Sequence, residues 1–172
     1  HYKLEGRDRR RLMIGKTKGV QVNRYNEFEV KEILNEKYSG VEFEGYDNIN
    51  LSFEELKIIY SKDIISWKNA LQNSKGVYLI TDINTGKQYV GSAYQQNDGI
   101  WGRWMNYIST GHGNNVKLKK LLAQKGRSYI ELYFRFSILE IFSRRVEDAV
   151  IIGRESFWKD ILVTREFGYN DN

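Results

Sequence analysis

The sequence contains no cysteine and no proline, and only two of its 172 residues are histidine. Without cysteine the chain forms no disulfide and offers no thiolate, and two histidines alone argue against a structural zinc site. It has no run of 18 apolar residues and no signal-peptide pattern, so we expect a soluble, cytoplasmic protein without membrane contact. The missing proline excludes no class of function.

The chain does contain enough apolar material for a core, and it carries an excess of positive charge. Hydrophobic residues make up 41% and aromatic residues 14% of the sequence, which predicts one domain, or one domain with a smaller appendage. The net charge of +5 favours a polyanionic partner without identifying it. The run of Arg9, Arg10 and Arg11 suits phosphate contacts as well as it suits a solvated basic arm.

Turn residues and apolar spacing predict several elements in the first part of the chain. Residues 12–22 have the pattern of a small hairpin, and residues 26–38 suit either a strand or a short helix. Ser52 and Glu55 predict a capping box at the start of a helix. A second helix is expected over residues 64–71.

The second part of the chain follows the polar stretch 73–76, which is the predicted domain boundary. The segment GVYLITDINTGKQYVG, residues 76–91, predicts a β-hairpin, and IWGRWMNYI after it predicts a helix. Asn115 is expected to cap a further helix, which Gly126 ends.

Alternation and helical spacing predict the last two elements. A strand running through FSILEIF is indicated by the alternating apolar residues Ile130, Leu132, Phe134 and Phe136. The segment VEDAVIIGRESFWKDIL fits a helix whose predicted apolar face comprises Val146, Ala149, Val150, Phe157 and Ile161. The order of elements predicts an α+β fold: a small three-stranded, mainly antiparallel sheet flanked by helices over residues 76–172, after a small N-terminal α/β appendage over residues 1–75.

Several polar side chains stand where packing alone would not place them. In an antiparallel register the hairpin residues Tyr78 and Tyr89 share one face of the sheet. Arg103 has Tyr107 one turn later on the same side of its helix. Glu155 lies among apolar helix neighbours, and a buried carboxylate needs a cation or a metal ion as its partner. Each residue alone is better explained by packing, a cation–π pair or an ordinary ion pair.

Together these residues resemble the GIY-YIG nuclease family. GVY (76–78) and YVG (89–91) are similar to its two name motifs, with valine in place of isoleucine in both. The further matches, in chain order, are Arg103, Tyr107, the metal-binding glutamate at Glu155 and the asparagine near the domain end at Asn170. The resemblance covers residues 76–172. It implies the GIY-YIG fold and a metal-dependent endonuclease that acts on nucleic acid, with DNA favoured over RNA.

A narrower resemblance concerns the segments GKQYVGSAY, GIWGRWMNY, TGHGNN and REFGYNDN. They are similar to a bacterial subgroup of the family in which a segment resembling residues 7–70 precedes the nuclease domain. This likeness leaves the target unspecified, and the settings it allows include restriction, repair, mobile-element movement and phage defence.

The family resemblance also implies roles in phosphodiester hydrolysis. Glu155 would hold one divalent ion, Mg²⁺ with Mn²⁺ as a substitute, which would stabilise the leaving 3′-oxygen. Arg103 would bind a phosphate oxygen. Tyr78 would orient or deprotonate the water, and Tyr89 and Tyr107 would hold water or phosphate. Nearby cations would have to lower the pKa of the phenol, which is ordinarily about 10.

Other residues are weaker candidates for the same site. Lys87, two residues before Tyr89, is a candidate cation. His112 is a candidate second base or phosphate contact, although a histidine between two glycines is more often a solvated loop residue. Asn170 is expected to orient the catalytic helix or a substrate phosphate. Residues 1–75, with the basic run at Arg9, Arg10 and Arg11, are expected to help bind the substrate.

Two other functions remain open from the sequence. One is a nucleic-acid-binding module that keeps the fold without turnover. The other is an interaction domain of a larger assembly that docks through residues 1–75, whose charge is nearly balanced. A protein partner or a homo-oligomer is compatible with all three functions.

Overall fold

The computed structural model describes residues 2–5, 29–33, 42–94 and 98–171, and the chain divides into two compact units, residues 1–39 and 40–172. In the first unit, strand β1 (Tyr2–Glu5) pairs antiparallel with β2 (Glu29–Ile33). The described part of the 26–38 segment is therefore a strand. The predicted hairpin over residues 12–22 and the run at Arg9, Arg10 and Arg11 lie outside the described residues.

The second unit is built on a four-stranded antiparallel sheet. Its spatial order is β3 (Asn50–Ser52), β6 (Phe134–Ser143), β4 (Ser74–Asp82) and β5 (Gln88–Ala93). This confirms the α+β class and the antiparallel sheet, but the sheet has four strands where the sequence predicted three. The additional strand is β3, whose three residues are too few to produce a readable alternation. Strand β5 lies at one edge.

Six helices flank this sheet in the described residues. They are α1 (Phe53–Ser61), α2 (Ile65–Gln72), α3 (Gly99–Thr110), α4 (Val116–Lys125), α5 (Arg127–Tyr133) and α6 (Asp148–Ile161). The capping box at Ser52 and Glu55 is confirmed, because each residue's side chain bonds the other's backbone N–H. Asn115 caps α4 by accepting from the backbone N–H of Leu118, at 2.8 Å.

The segment before β6 corrects one prediction. Residues 127–133 form α5 rather than the start of a strand, so the alternation at Ile130 and Leu132 does not indicate extended backbone. Residues two apart point in widely different directions on a helix, and Ile130 is buried while the side chain of Leu132 is 69% exposed. Two apolar residues are too few to distinguish a period of 2 from a period of 3.6.

The predicted apolar face of α6 is wrong except at Val146, which precedes the helix and packs against the apolar cluster on this side of the sheet. Ile151 is the buried apolar residue of this helix, whereas the predicted members Val150, Phe157 and Ile161 are exposed, the last by 58%. The reason is the small surface that α6 covers, a cluster centred on Val77, Val90 and Ile151. A sequence pattern gives the direction of an apolar stripe but not the width of the surface available to bury it.

The two faces of the sheet carry different cores. Tyr78 and Ile80 point to the face covered by α1 to α5, where the main core lies, and Val77 points to the face covered by α6. Phe53 and Leu56 of α1 belong to the main core, so the compact unit begins well before the predicted boundary at 73–76. No helix among the described residues is long and apolar enough to cross a membrane.

Candidate active site

A cleft of about 640 Å³ lies along the edge strand β5, between α3 on one face of the sheet and α6 on the other. Because side chains of a strand alternate between faces, β5 contributes Tyr89 from the α3 side and Ser92 from the α6 side. Arg103 of α3 and Glu155 of α6 also line the cleft. The other lining residues include Tyr94, Asn106, Ser156, Lys159 and Arg165.

On the α3 side, three tyrosines surround one arginine. Tyr78 and Tyr89 share a sheet face as predicted, with ring centroids 6.5 Å apart. The Nε of Arg103 donates to the Tyr78 hydroxyl at 3.0 Å, and that hydroxyl lies 3.1 Å from the Tyr107 hydroxyl. The Arg103 guanidinium lies 5.4 Å from the centre of the Tyr107 ring. The arginine is thus fixed on one side and faces the cleft on the other.

Burial decides the protonation state of the tyrosines behind the cleft wall. Burial, with a smaller effect from Tyr89, raises the pKa of the Tyr78 hydroxyl above that of an ordinary phenol, although Arg103 acts in the opposite direction. Burial also raises the pKa of Tyr107. Both residues are therefore neutral phenols at physiological pH. Neither lines the cleft, whereas Tyr89 does.

The position of the Tyr78 ring explains why the second name motif ends in a glycine, Gly91. In the sheet register Gly91 lies opposite Tyr78, and a Cβ on Gly91 would overlap the Tyr78 ring. A larger residue here would push the Tyr78 hydroxyl away from Arg103. The glycine is therefore needed for the close approach of this ring to the backbone of β5.

On the α6 side, Glu155 is held by two partners. One of its carboxylate oxygens accepts a hydrogen bond from the Ser92 hydroxyl, and the other lies 2.8 Å from the Lys159 ammonium. The Glu155 side chain is 16% exposed and the Lys159 side chain 7% exposed. Of the two predicted kinds of partner for Glu155, a cation or a metal ion, the cation is confirmed: it is Lys159, one helical turn further along α6.

The residues around Glu155 fit one weakly liganded divalent ion. No group of three or more His, Asp or Glu side chains lies together in the described residues, so no protein cage of that kind is present there. One carboxylate at the wall of an open cleft is sufficient for Mg²⁺, which keeps several waters and takes further oxygens from a substrate phosphate. The Ser92 hydroxyl is a second oxygen beside that carboxylate.

Asn170 lies behind the cleft wall and supports β5. Its side-chain carbonyl accepts from the backbone N–H of Val90 at 2.9 Å, and its amide donates to the carbonyl of Val90 at 2.8 Å. The side chain thus pairs with the strand edge as a neighbouring strand would. The Lys117 ammonium donates to the backbone carbonyl of Asn170 at 2.6 Å, and this bond fixes the chain segment that carries Asn170.

Two weaker candidates do not line the cleft. Lys87 is exposed, and its ammonium lies 6.0 Å from the centre of the Tyr169 ring. His112 accepts from the backbone N–H of Asn114 at 3.0 Å, and slight burial together with Lys119 lowers its pKa. The run at Arg9, Arg10 and Arg11 lies outside the described residues.

Three of the cleft-lining residues that were not predicted as site residues bear on the charge of the cleft or on Glu155: Lys159, Ser92 and Arg165. Lys159 was visible as a lysine four residues after Glu155, a spacing that places the two side chains together on a helix. Ser92, the third residue after Tyr89, lies on the opposite sheet face, and only the position of α6 brings it to Glu155. Arg165 follows α6 in a series of turns that no periodic pattern marks.

Among solved structures, the chain is similar to the catalytic domain of a homing endonuclease, I-TevI. A mutant form, described as the catalytic domain of an intron endonuclease, is 29% identical, with 58% of this chain and 94% of that chain covered and a TM-score of 0.45. The domain of the homing endonuclease is 32% identical, with 56% and 96% covered and a TM-score of 0.43. No protein-family model and no curated protein matches the sequence.

The paired GVY and YVG motifs, followed in order by Arg103, Glu155 and Asn170, define a nuclease-type domain. The homing endonuclease domain is 32% identical to this chain across 96% of its own length, and this chain belongs to the GIY-YIG family.

Proposed function

We propose that the chain is a metal-dependent endonuclease that hydrolyses phosphodiester bonds in nucleic acid, with DNA favoured over RNA. The observation that carries this proposal is that Tyr89, Arg103 and Glu155 all line the same cleft, at the edge of β5. The similar solved domain is that of a homing endonuclease. Residues 1–75 would contribute to substrate binding.

Arg103 would hold the scissile phosphate. Its Nε is occupied by Tyr78, and no described residue hydrogen-bonds its terminal nitrogens, which leaves them for a non-bridging phosphate oxygen. The fixed guanidinium needs little reorganisation as negative charge develops on the phosphate. Tyr78 and Tyr107 would act as positioning residues behind it.

The attacking water would lie beside Tyr89 rather than Tyr78. Tyr89 is the member of the tyrosine cluster that lines the cleft, and Tyr78 is a fully buried phenol with a raised pKa. The water oxygen attacks phosphorus, the bond from phosphorus to the leaving 3′-oxygen breaks, and that oxygen takes up a proton. The Tyr89 hydroxyl would orient the water, whose proton passes to solvent.

Glu155 would hold Mg²⁺, or Mn²⁺ in its place, with Ser92 as the neighbouring oxygen. When bound, the ion supplies Lewis-acid stabilisation of the charge on phosphate and leaving group. The Glu155 carboxylate is on the wall opposite Arg103, so a phosphate between them would meet positive charge from two sides.

The test is a cleavage assay on single- and double-stranded DNA and RNA, with and without Mg²⁺. Wild type is expected to cut at least one substrate only when Mg²⁺ is present, and Glu155→Ala is expected to lose activity by about 10³-fold or more. Glu131→Ala, which removes a half-buried helical carboxylate outside the cleft, should cleave like wild type. Identical traces for wild type and Glu155→Ala would refute the nuclease, and binding without cleavage would favour a module that lacks turnover.

A further inference from the structure

Lys159 is the feature of the cleft that the roles above leave unexplained. Its side chain is 7% exposed, and it lines the cleft together with the carboxylate proposed to hold metal. Burying an ammonium is costly, and a surface ion pair on a helix does not require it. Lys159 therefore places a buried positive charge directly beside the carboxylate proposed to hold metal.

The ammonium and a divalent ion would compete for the same carboxylate. One oxygen of Glu155 accepts from Ser92 and the other lies 2.8 Å from the Lys159 nitrogen, so each oxygen already has a partner. A metal ion that binds this carboxylate weakens or replaces the contact with Lys159. Two cations held by a single carboxylate repel each other unless a further anion joins them.

A substrate phosphate is the anion that the cleft would receive. Lys159 and Arg165 line the α6 wall and Arg103 lines the α3 wall, so the positive side chains outnumber Glu155. An ammonium released from Glu155 in this cleft is within the space that a phosphate would occupy. Its four-carbon stem allows the head to move while the stem stays packed.

We propose that Lys159 exchanges partners during the reaction, from Glu155 in the metal-free protein to a substrate phosphate when a divalent ion binds. The exchange weakens metal binding in the absence of substrate and strengthens it in the presence of substrate. Linkage requires the reverse as well, so metal strengthens phosphate binding by the same factor. This inference rests on the proposed function and makes Lys159 a further phosphate-binding residue of the same site.

The test is Mn²⁺ binding to the full chain, followed by electron paramagnetic resonance of free Mn²⁺, with and without dimethyl phosphate as a phosphodiester common to DNA and RNA chemistry. Lys159→Met is expected to bind Mn²⁺ about tenfold more tightly than wild type without dimethyl phosphate, within the usual range of coupling between sites. Dimethyl phosphate should strengthen Mn²⁺ binding several-fold less in this variant than in wild type.

Lys75→Met is the matched control, because Lys75 forms a similar half-buried ion pair with Asp148 of α6 but does not line this cleft. It removes the same charge and should leave Mn²⁺ affinity unchanged. Wild-type or weaker Mn²⁺ affinity in Lys159→Met would overturn the exchange and leave an ordinary structural ion pair. Unchanged Mn²⁺ binding in Glu155→Gln would instead refute the metal site, and with it the proposed function.

A measurement on the unmutated protein covers the case in which Lys159→Met fails to fold. The side-chain ammonium signal of Lys159 in ¹⁵N-labelled protein should shift when Mg²⁺ is added, and shift again when dimethyl phosphate follows. The Lys75 signal should stay in place. A Lys159 signal that does not respond to Mg²⁺ would show that the ammonium keeps its partner, and would overturn the proposal.

Discussion

The two walls of the cleft hold their polar groups by different means. On the α3 wall, Arg103 rests on neutral phenols that are buried in the main core, and its orientation follows from aromatic packing. On the α6 wall, Glu155 is held by a hydroxyl and an ammonium over a much smaller apolar cluster. The first wall is rigid because its ring neighbours are close-packed, and the second depends on charge pairing that another ion can replace.

This difference suggests a division of labour. The α3 wall, here called the rigid wall, suits a group such as Arg103 that must face developing charge without moving. The α6 wall, here called the exchangeable wall because Glu155 can change its ionic partner, suits the binding and release of a metal ion and a phosphate. The edge strand β5 joins the two walls, since Tyr89 and Ser92 point to opposite faces of the sheet. Asn170 holds the outer edge of that strand through Val90.

Among the variants of the α3 wall, the largest effect is expected from removing its positive group. Arg103→Met should reduce kcat/KM for cleavage by about 10²- to 10³-fold, the usual loss when a fixed donor to a transition-state oxygen is removed. The measurement is the initial cleavage rate over a range of substrate concentrations. Arg135→Met is the control, because Arg135 lies on β6 and does not line the cleft. Equal losses in the two variants would mean that general charge, and not the cleft wall, is what matters.

A smaller effect should separate the tyrosine that lines the cleft from the tyrosine behind it. Tyr89→Phe removes the hydroxyl proposed to orient water and should lower kcat by about 10- to 100-fold. Tyr78→Phe removes the oxygen that accepts from Arg103, and should mainly raise KM, by about tenfold.

Tyr60→Phe is the matched control for both tyrosine variants. Tyr60 belongs to the same core, but its hydroxyl donates to the Trp101 carbonyl and not to a group of the cleft. Cleavage by this variant should equal that of wild type at the same temperature. A larger kcat loss in Tyr78→Phe than in Tyr89→Phe would return the water to Tyr78, as the family resemblance first implied.

The sequence predicted the rigid wall better than the exchangeable one. The spacing of the name motifs was sufficient to put Tyr78 and Tyr89 on one sheet face, because strand alternation is strict. It also placed Arg103 beside Tyr107, since residues four apart meet on a helix. The approach of Ser92 to Glu155 depends on where α6 packs, which the sequence predicted with the wrong apolar face. The sequence also did not predict which tyrosines are buried, because the motifs do not reveal which of them lines the cleft.

The smallest expected effect concerns stability at high pH, and it sharpens the view that the rigid wall rests on neutral phenols. Burial raises the pKa of Tyr60, Tyr78 and Tyr107 in the folded protein, while in the unfolded chain each of these tyrosines has a pKa of about 10. Below that value both states hold the proton and stability is unaffected. Above it the unfolded chain releases protons that the folded protein keeps, so the free energy of unfolding falls as pH rises.

The free energy of unfolding should fall by about 1.4 kcal/mol per pH unit for each such tyrosine, beginning near pH 10. Urea unfolding at intervals from pH 8.5 to 11 measures it, and Tyr60→Phe should reduce the slope by the share of one tyrosine without affecting cleavage. If this slope is the same in Tyr60→Phe and wild type, the Tyr60 hydroxyl is not a source of the fall, and the slope is then due to the other buried phenols, Tyr78 and Tyr107.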